Sequence, residues 1–198
     1  LAAVRQQHDT RQLIIETAER FFREIGYQKT TVADIAKALR MSPANVYRFF
    51  DSKKSINEAV AERLMGEVEA ALEAIASSPQ PARERLRQLL LSAHRMNAER
   101  YVGDVRIHEM VEVAICESWG VIQGHIQRVD EIYRRVLVEG TAAGEFAVAD
   151  PDLASACVRT AYVRFCHPQL LVQCADLPGP SVEQMIDFIL AALAPKGP

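Results

Sequence analysis

The chain has 198 residues, a formal net charge of −3 and an ordinary globular composition, with 49% hydrophobic and 25% charged residues. It is long enough to bury a proper core in one or two domains. No apolar run approaches the ~20 residues of a membrane span, and the opening L-A-A-V-R-Q-Q-H-D-T has no signal-peptide core, so a cytoplasmic protein is expected. Asp9 or Thr10 is placed to cap a first helix. Ile14, Ala18, Phe21, Phe22 and Ile25 then recur at helical spacing, and Gly26 is a natural terminator.

The stretch Thr30–Lys54 predicts two short helices around a tight turn. Thr31 can cap the first, with Asp34 as the acidic half of a capping box. Val32, Ile35, Ala36 and Leu39 share one face of it. Ser42 begins the second, with Pro43 at the first helical position, where a missing N–H costs nothing. A Val46/Phe49/Phe50 anchor leaves Ala44, Asn45, Tyr47 and Arg48 facing outward. This is the pattern of a helix-turn-helix, whose second helix enters the DNA major groove.

The same run, I-A-K-A-L-R-M-S-P-A-N-V-Y-R-F-F-D-S-K, resembles the DNA-binding motif of the TetR (tetracycline-repressor) family, roughly I-A-x-x-A-G-V-S-x-G-x-L-Y-x-H-F-x-x-K. Ile35, Ala36, Ser42, Tyr47, Phe50 and Lys53 match, and Val46 stands where Leu is usual. Arg40 replaces the turn glycine, which costs ~1 kcal/mol if the position is left-handed. Ala44 replaces a second glycine, and Phe49 replaces a His that in the family often meets a phosphate. The resemblance is specific over about the first 60 residues.

Charge divides along the chain as a nucleic-acid head requires. Residues 1–65 hold 11 Lys/Arg and 8 Asp/Glu; residues 66–198 hold 12 and 18. Asp51 or Ser52 caps a long helix running through Ile56, Val60, Leu64, Val68, Leu72 and Ile75. Lys53 and Lys54 in its first turn oppose the helix dipole, which a phosphate there would explain.

The loop Ser77-Ser78-Pro79-Gln80-Pro81 interrupts the helical pattern. Helices follow over about 86–97, over 105–116, and from Val121 to Leu137, the last ended by Gly140 and Gly144. Asp150-Pro151 starts another, which carries Leu153, Cys157, Val158, Ala161, Val163 and Phe165, until Pro168 bends or stops it near His167. Ser181 and Gln184 form a capping box for the final helix, whose Val182, Met185, Ile186, Ile189, Leu190 and Leu193 cover more than one face. The expectation is an all-α chain of about nine helices: an N-terminal helix-turn-helix head on a larger helical ligand-binding and dimerisation domain. Residues 1–55 form the head, the helix to about 76 is a connector, and 77–198 form the second domain.

Resemblance to this bacterial family implies a ligand-responsive regulator, most often a repressor, that binds a palindromic DNA operator as a homodimer and is released by a small-molecule effector. The last two helices, near 152–172 and 181–194, are then the dimer interface, and the helices from about 82 to 141 surround the effector. Thr30, Thr31, Tyr47 and Lys53 are candidates to hold phosphates; Ser42, Pro43, Ala44, Asn45 and Arg48 face bases or sugars. Effector candidates are His94, His108, Met110, Trp119, His125 and Tyr162. No catalytic constellation, cofactor motif or metal-ligand spacing stands out, so an enzyme is not expected. The rivals are a helical ligand-binding or scaffold protein with a vestigial head, and a redox sensor built on Cys116, Cys157, Cys166 or Cys174.

Overall fold

The computed structural model describes residues 2–102, 105–117 and 119–195, which form ten α-helices and no strand. They are α1 (Ala2–Ile25), α2 (Val32–Ala38), α3 (Pro43–Tyr47), α4 (Lys53–Ala76), α5 (Ala82–Tyr101), α6 (Val105–Glu117), α7 (Trp119–Ala142), α8 (Pro151–Cys166), α9 (Pro168–Gln173) and α10 (Val182–Leu193). No described helix is long and apolar enough to cross a membrane. The tenth helix comes from Pro168. His167 turns to ψ 124, α8 ends, and the proline restarts a short α9 from its first position.

The residues group into two compact units. The first holds Leu1–Met65 and Gly103–Ile122. Its core is built from Ile14, Ala18, Phe22, Ile35, Ala36, Val46, Ile56 and Val60, each almost wholly out of water. Two expectations for α1 are corrected. The helix begins at Ala2, so Thr10 is interior and its hydroxyl donates back to the Gln6 carbonyl at 2.9 Å rather than capping. Ile25 is exposed and Phe21 only half-buried, with the Arg20 guanidinium 4.9 Å from its ring centre. Gly26 ends the helix with φ 94, as its sequence position suggests. Inside this unit α6 is fastened twice: Asn57 donates to the Met110 carbonyl at 3.3 Å, and Arg106 to the Glu24 carbonyl.

The second unit holds Gly66–Val102 and Gln123–Pro198. Leu72, Leu86, Leu89, Leu90, Val136, Leu137, Tyr162, Ile186 and Leu190 form its centre. The Glu145 carboxylate accepts from the Ala82 and Arg83 amides at 3.0 and 2.9 Å and so caps α5 from a distant loop. Asp150 caps α8 through Leu153 N at 3.0 Å, and Ser181 and Gln184 close the expected box on α10.

Gly140 does not end α7, contrary to expectation; the helix runs on to Ala142. It is there for close approach. A Cβ on Gly140 would lie 2.3 Å from the Phe146 ring and 2.7 Å from Ala82 Cβ. Gly140→Ala should therefore lower the unfolding free energy by about 1–3 kcal/mol through overpacking, despite alanine's better helix propensity. Urea denaturation checks this; an unchanged midpoint would mean that Phe146 moves aside freely.

Candidate nucleic-acid interface

The α2–turn–α3 segment is assembled from local signals. The Thr31 hydroxyl accepts from Asp34 N at 3.1 Å, and the Asp34 carboxylate accepts from Thr31 N at 3.0 Å and from the Thr31 hydroxyl at 2.6 Å. After α2 the Arg40 amide donates to the Lys37 carbonyl at 3.1 Å and the Met41 amide to the Ala36 carbonyl at 3.0 Å. This paired closure requires a left-handed residue just past the cap. Arg40 takes that conformation, with φ 54. Ser42 then caps α3, its hydroxyl accepting from Asn45 N at 3.2 Å.

Val46 is fully buried and Phe50 nearly so, while Phe49 is half-buried; the expected anchor forms on its first and last members. Above it stand Ser42, Pro43, Ala44, Tyr47 and Arg48, all exposed. Asn45 is half-buried, its amide 3.9 Å from the Met41 sulfur, a weak contact that does not consume its donors. Ser42 uses its hydroxyl only as an acceptor, which leaves the O–H to donate outward. The helix is shorter than the sequence suggests, ending at Tyr47 with Arg48 as cap.

Three residues expected on phosphates have partners within the chain. Thr30 is a correction: it is fully buried, and its hydroxyl donates to the Gly26 carbonyl at 2.8 Å. It fastens the turn after α1. The Thr31 proton is directed to Asp34. The Lys53 ammonium donates to the Tyr27 carbonyl at 3.0 Å and lies 4.3 Å from the Tyr27 ring centre, a local reason for a cation at the start of α4. Of the cations left facing solvent, sequence reasoning singled out Arg40, Arg48 and Lys54 and passed over Lys29 and Lys37. Lys29, Lys37, Arg40 and Lys54 are exposed alongside Arg48, and among the described residues no ion pair holds any of them. The signal that separates them from Lys53 is burial, which spacing alone does not reveal.

The profile described as "Bacterial regulatory proteins, tetR family" matches residues 14–60, and "Tetracyclin repressor-like, C-terminal domain" matches 82–181, half of the chain. The chain belongs to the TetR family. It is therefore a helix-turn-helix transcriptional regulator by family. It is 21% identical over 155 residues to the HTH-type transcriptional regulator YhgD of Bacillus subtilis, spanning 78% of this chain and 81% of that one. A TetR/AcrR-family regulator from Thermobifida fusca superposes with TM-score 0.66 at 27% identity, covering 92% and 97% of the two chains. SmeT, the repressor of a Stenotrophomonas maltophilia multidrug efflux pump, superposes in its triclosan complex with TM-score 0.67 at 19% identity, covering 96% and 93%.

The residues expected around an effector each have structural partners where they are described. Tyr162 is fully buried and its hydroxyl donates to the Leu90 carbonyl. His94 Nδ1 donates to the Phe165 carbonyl at 2.8 Å, and the rings of both His94 and Tyr162 pack on Phe165. His125 lies elsewhere in the same unit, 2.7 Å from Glu69, which also takes Arg128 at 2.6 Å. Burial opposes charge on Glu69, but those two partners outweigh it and hold its carboxyl below the usual range. Met110 is buried in the first unit. The side chains of His108 and Trp119 lie outside the described residues. An open polar groove of about 490 Å³, lined by Ala76, Ser77, Ser78, Arg85, Arg135 and Glu139 among others, includes none of the six.

Among the described residues no cluster of three or more His, Cys, Asp or Glu is arranged to hold a metal. Burial pushes the Cys166 thiol up to about 12, which leaves it protonated and a poor nucleophile. His167 is lowered by the same loss of solvent.

The capping box also makes a pH prediction. Side-chain and backbone hydrogen bonds from Thr31 hold the Asp34 carboxyl below its ordinary value. A depressed folded pKa contributes stability above the unfolded value of about 4 and loses it as pH falls through the lower folded value. Asp34→Asn should lower the melting temperature at neutral pH, and that difference should vanish as the pH falls through the depressed folded value of the carboxyl. A difference from wild type that is constant across the pH series would assign the box no electrostatic part.

Proposed function

We propose that this TetR-family chain is a cytoplasmic repressor that binds a palindromic DNA operator as a homodimer and is released by a small-molecule effector. The observation that carries the reading is the α2–turn–α3 segment. Its exposed Ser42, Pro43, Ala44, Tyr47 and Arg48 rise from a buried Val46/Phe50 anchor, beside a set of uncommitted cations. In this proposal Ser42, Pro43, Ala44, Asn45 and Arg48 meet bases and sugars. Thr31, Tyr47, Lys53, Lys29, Lys37 and Lys54 meet the phosphate backbone, Lys53 by its remaining N–H and Thr31 after exchanging its bond to Asp34. Residues 1–55 act as the head, the helix to about 76 as connector, and 77–198 as the effector-binding and dimerisation domain.

A single recognition helix of five residues reads few bases. Two copies about 34–36 Å apart read two half-sites. The surface of α8 and α10 supports such pairing. Leu153, Cys157 and Ala161, four residues apart, form an exposed stripe on α8, and Phe188 on α10 is 67% exposed with Ala191 and Ala192 beside it. Of the six apolar residues that the sequence places on α8, Val158 and Phe165 are buried, and Leu153, Cys157, Ala161 and Val163 are exposed. A helix stripe of this kind is explained by a second copy seated on it.

Release by an effector follows the family reading and the likeness to SmeT, whose fold holds triclosan in its complex. An effector acts by binding the DNA-incompetent form more tightly, and it shifts the population by no more than that difference in affinity. Of the six candidates, His94, His125 and Tyr162, all in the second unit, are the ones proposed to meet it.

Selection of duplexes from a random pool, with the complex weighed by light scattering, tests the whole reading. A palindrome bound by two chains is expected. A monomer at micromolar concentration that ignores DNA in dilute salt would end it. Arg48→Ala should cost ~1–3 kcal/mol on the selected site and relax its sequence preference. Equal weakening on every sequence would make Arg48 a phosphate contact instead. Phe188→Glu should leave the chain folded, because the ring is mostly in water, yet shift it to monomer and weaken operator binding. A dimer that survives the charge would place the interface elsewhere.

A further inference from the structure

We propose that Arg40, in the turn between α2 and α3, is a phosphate contact in the DNA complex, and that its strained backbone is kept for that contact. The inference rests on the DNA-binding reading above. Arg40 is the one non-glycine residue with positive φ among those described. Glycine makes the same closure without the clash of a Cβ against its own backbone. Glycine would keep that closure, and the arginine side chain takes no polar partner among the described residues in return. The side chain is exposed, and among the described residues neither a hydrogen bond nor an ion pair holds its guanidinium. A residue that strains the backbone while its charged group has no hydrogen bond or ion pair among the described residues is explained by a partner outside the chain.

Its position says which partner. Arg40 lies two residues before the Ser42 cap and four before Ala44, at the entry to the recognition helix, with exposed Lys37 one turn of chain behind it. Docking a helix by its first residues brings the segment leading into it against the wall of the groove, where the phosphates are. A guanidinium there offers a planar fork of donors to phosphate oxygens. The side chain is exposed, so its guanidinium is open to a partner from solvent.

The test separates strain from binding in the full-length chain. Arg40→Gly, Arg40→Lys and, as a control of equal charge loss in the other unit, Arg95→Ala are compared with wild type. Melting temperature is measured, and so is affinity for a labelled mixed-sequence duplex across a salt series. Arg40→Gly should melt higher than wild type and still bind DNA severalfold more weakly at low salt. Its slope of log affinity against log salt should fall by about 0.9, one phosphate's worth of released counterions. Arg40→Lys should keep the wild-type slope, and Arg95→Ala should leave it untouched. A wild-type slope in Arg40→Gly overturns the contact while the DNA-binding reading stands. An equal drop in Arg95→Ala overturns it in favour of bulk charge. A wild-type chain that fails to bind at low salt overturns both.

Discussion

A helix of five residues cannot hold itself in water. Nucleating a turn costs more than one or two hydrogen bonds return, so α3 exists only because the rest of the first unit holds it. Val46 and Phe50 are the hold. They bury almost completely, and the guanidinium of Arg11 covers the Phe50 ring at 4.8 Å. Anchoring these two side chains fixes the helix in rotation. That rotation decides that Tyr47 and Arg48 face solvent. The polar surface of the interface is thus a consequence of an apolar one beneath it.

Around that anchor the polar groups divide into two sets. Thr30, Thr31 and Lys53 are spent on closing turns and capping helices, on Gly26, Asp34 and Tyr27 respectively. Ser42, Arg48 and the lysines at 29, 37 and 54 are left to solvent. The first set makes the second useful. A capped, tied-down framework lets an uncommitted cation meet a phosphate without first ordering the chain that carries it.

The second unit uses charge differently. Arg85 joins the Ala76 carbonyl to Glu139, Arg159 takes both oxygens of Asp130, and Arg164 holds the carbonyls of Cys174 and Leu177. Its arginines are mostly committed to its own helices. What it leaves open is apolar, along α8 and at Phe188. The proposed division of labour, nucleic acid at one unit and association at the other, has a physical counterpart in which kind of group each unit leaves unsatisfied.

Local chemistry was legible from the residues alone. The caps at Thr31, Ser42, Asp150 and Ser181, the terminator at Gly26, the loop at 77–81 and the break at Pro168 were all read correctly, because each depends on neighbours within four residues. The left-handed conformation at Arg40 was raised only as a condition, by the glycine that the family motif has there, and the structure shows it at φ 54. Sequence also determined the all-helical class and the helix-turn-helix, through spacing and the motif. Tertiary structure alone decided which of several equivalent groups is free. Thr30 and Ser42 are both hydroxyls near a helix start, yet one is sealed by Gly26 and the other faces out. Lys53 and Lys54 are adjacent, yet only the first finds carbonyls of a turn some twenty-five residues earlier. Gly140 has the composition of a helix end and serves instead as the floor beneath Phe146. Periodicity records that a residue is apolar or charged, but the partner that buries or pairs it comes from distant chain, and only folding brings that chain near.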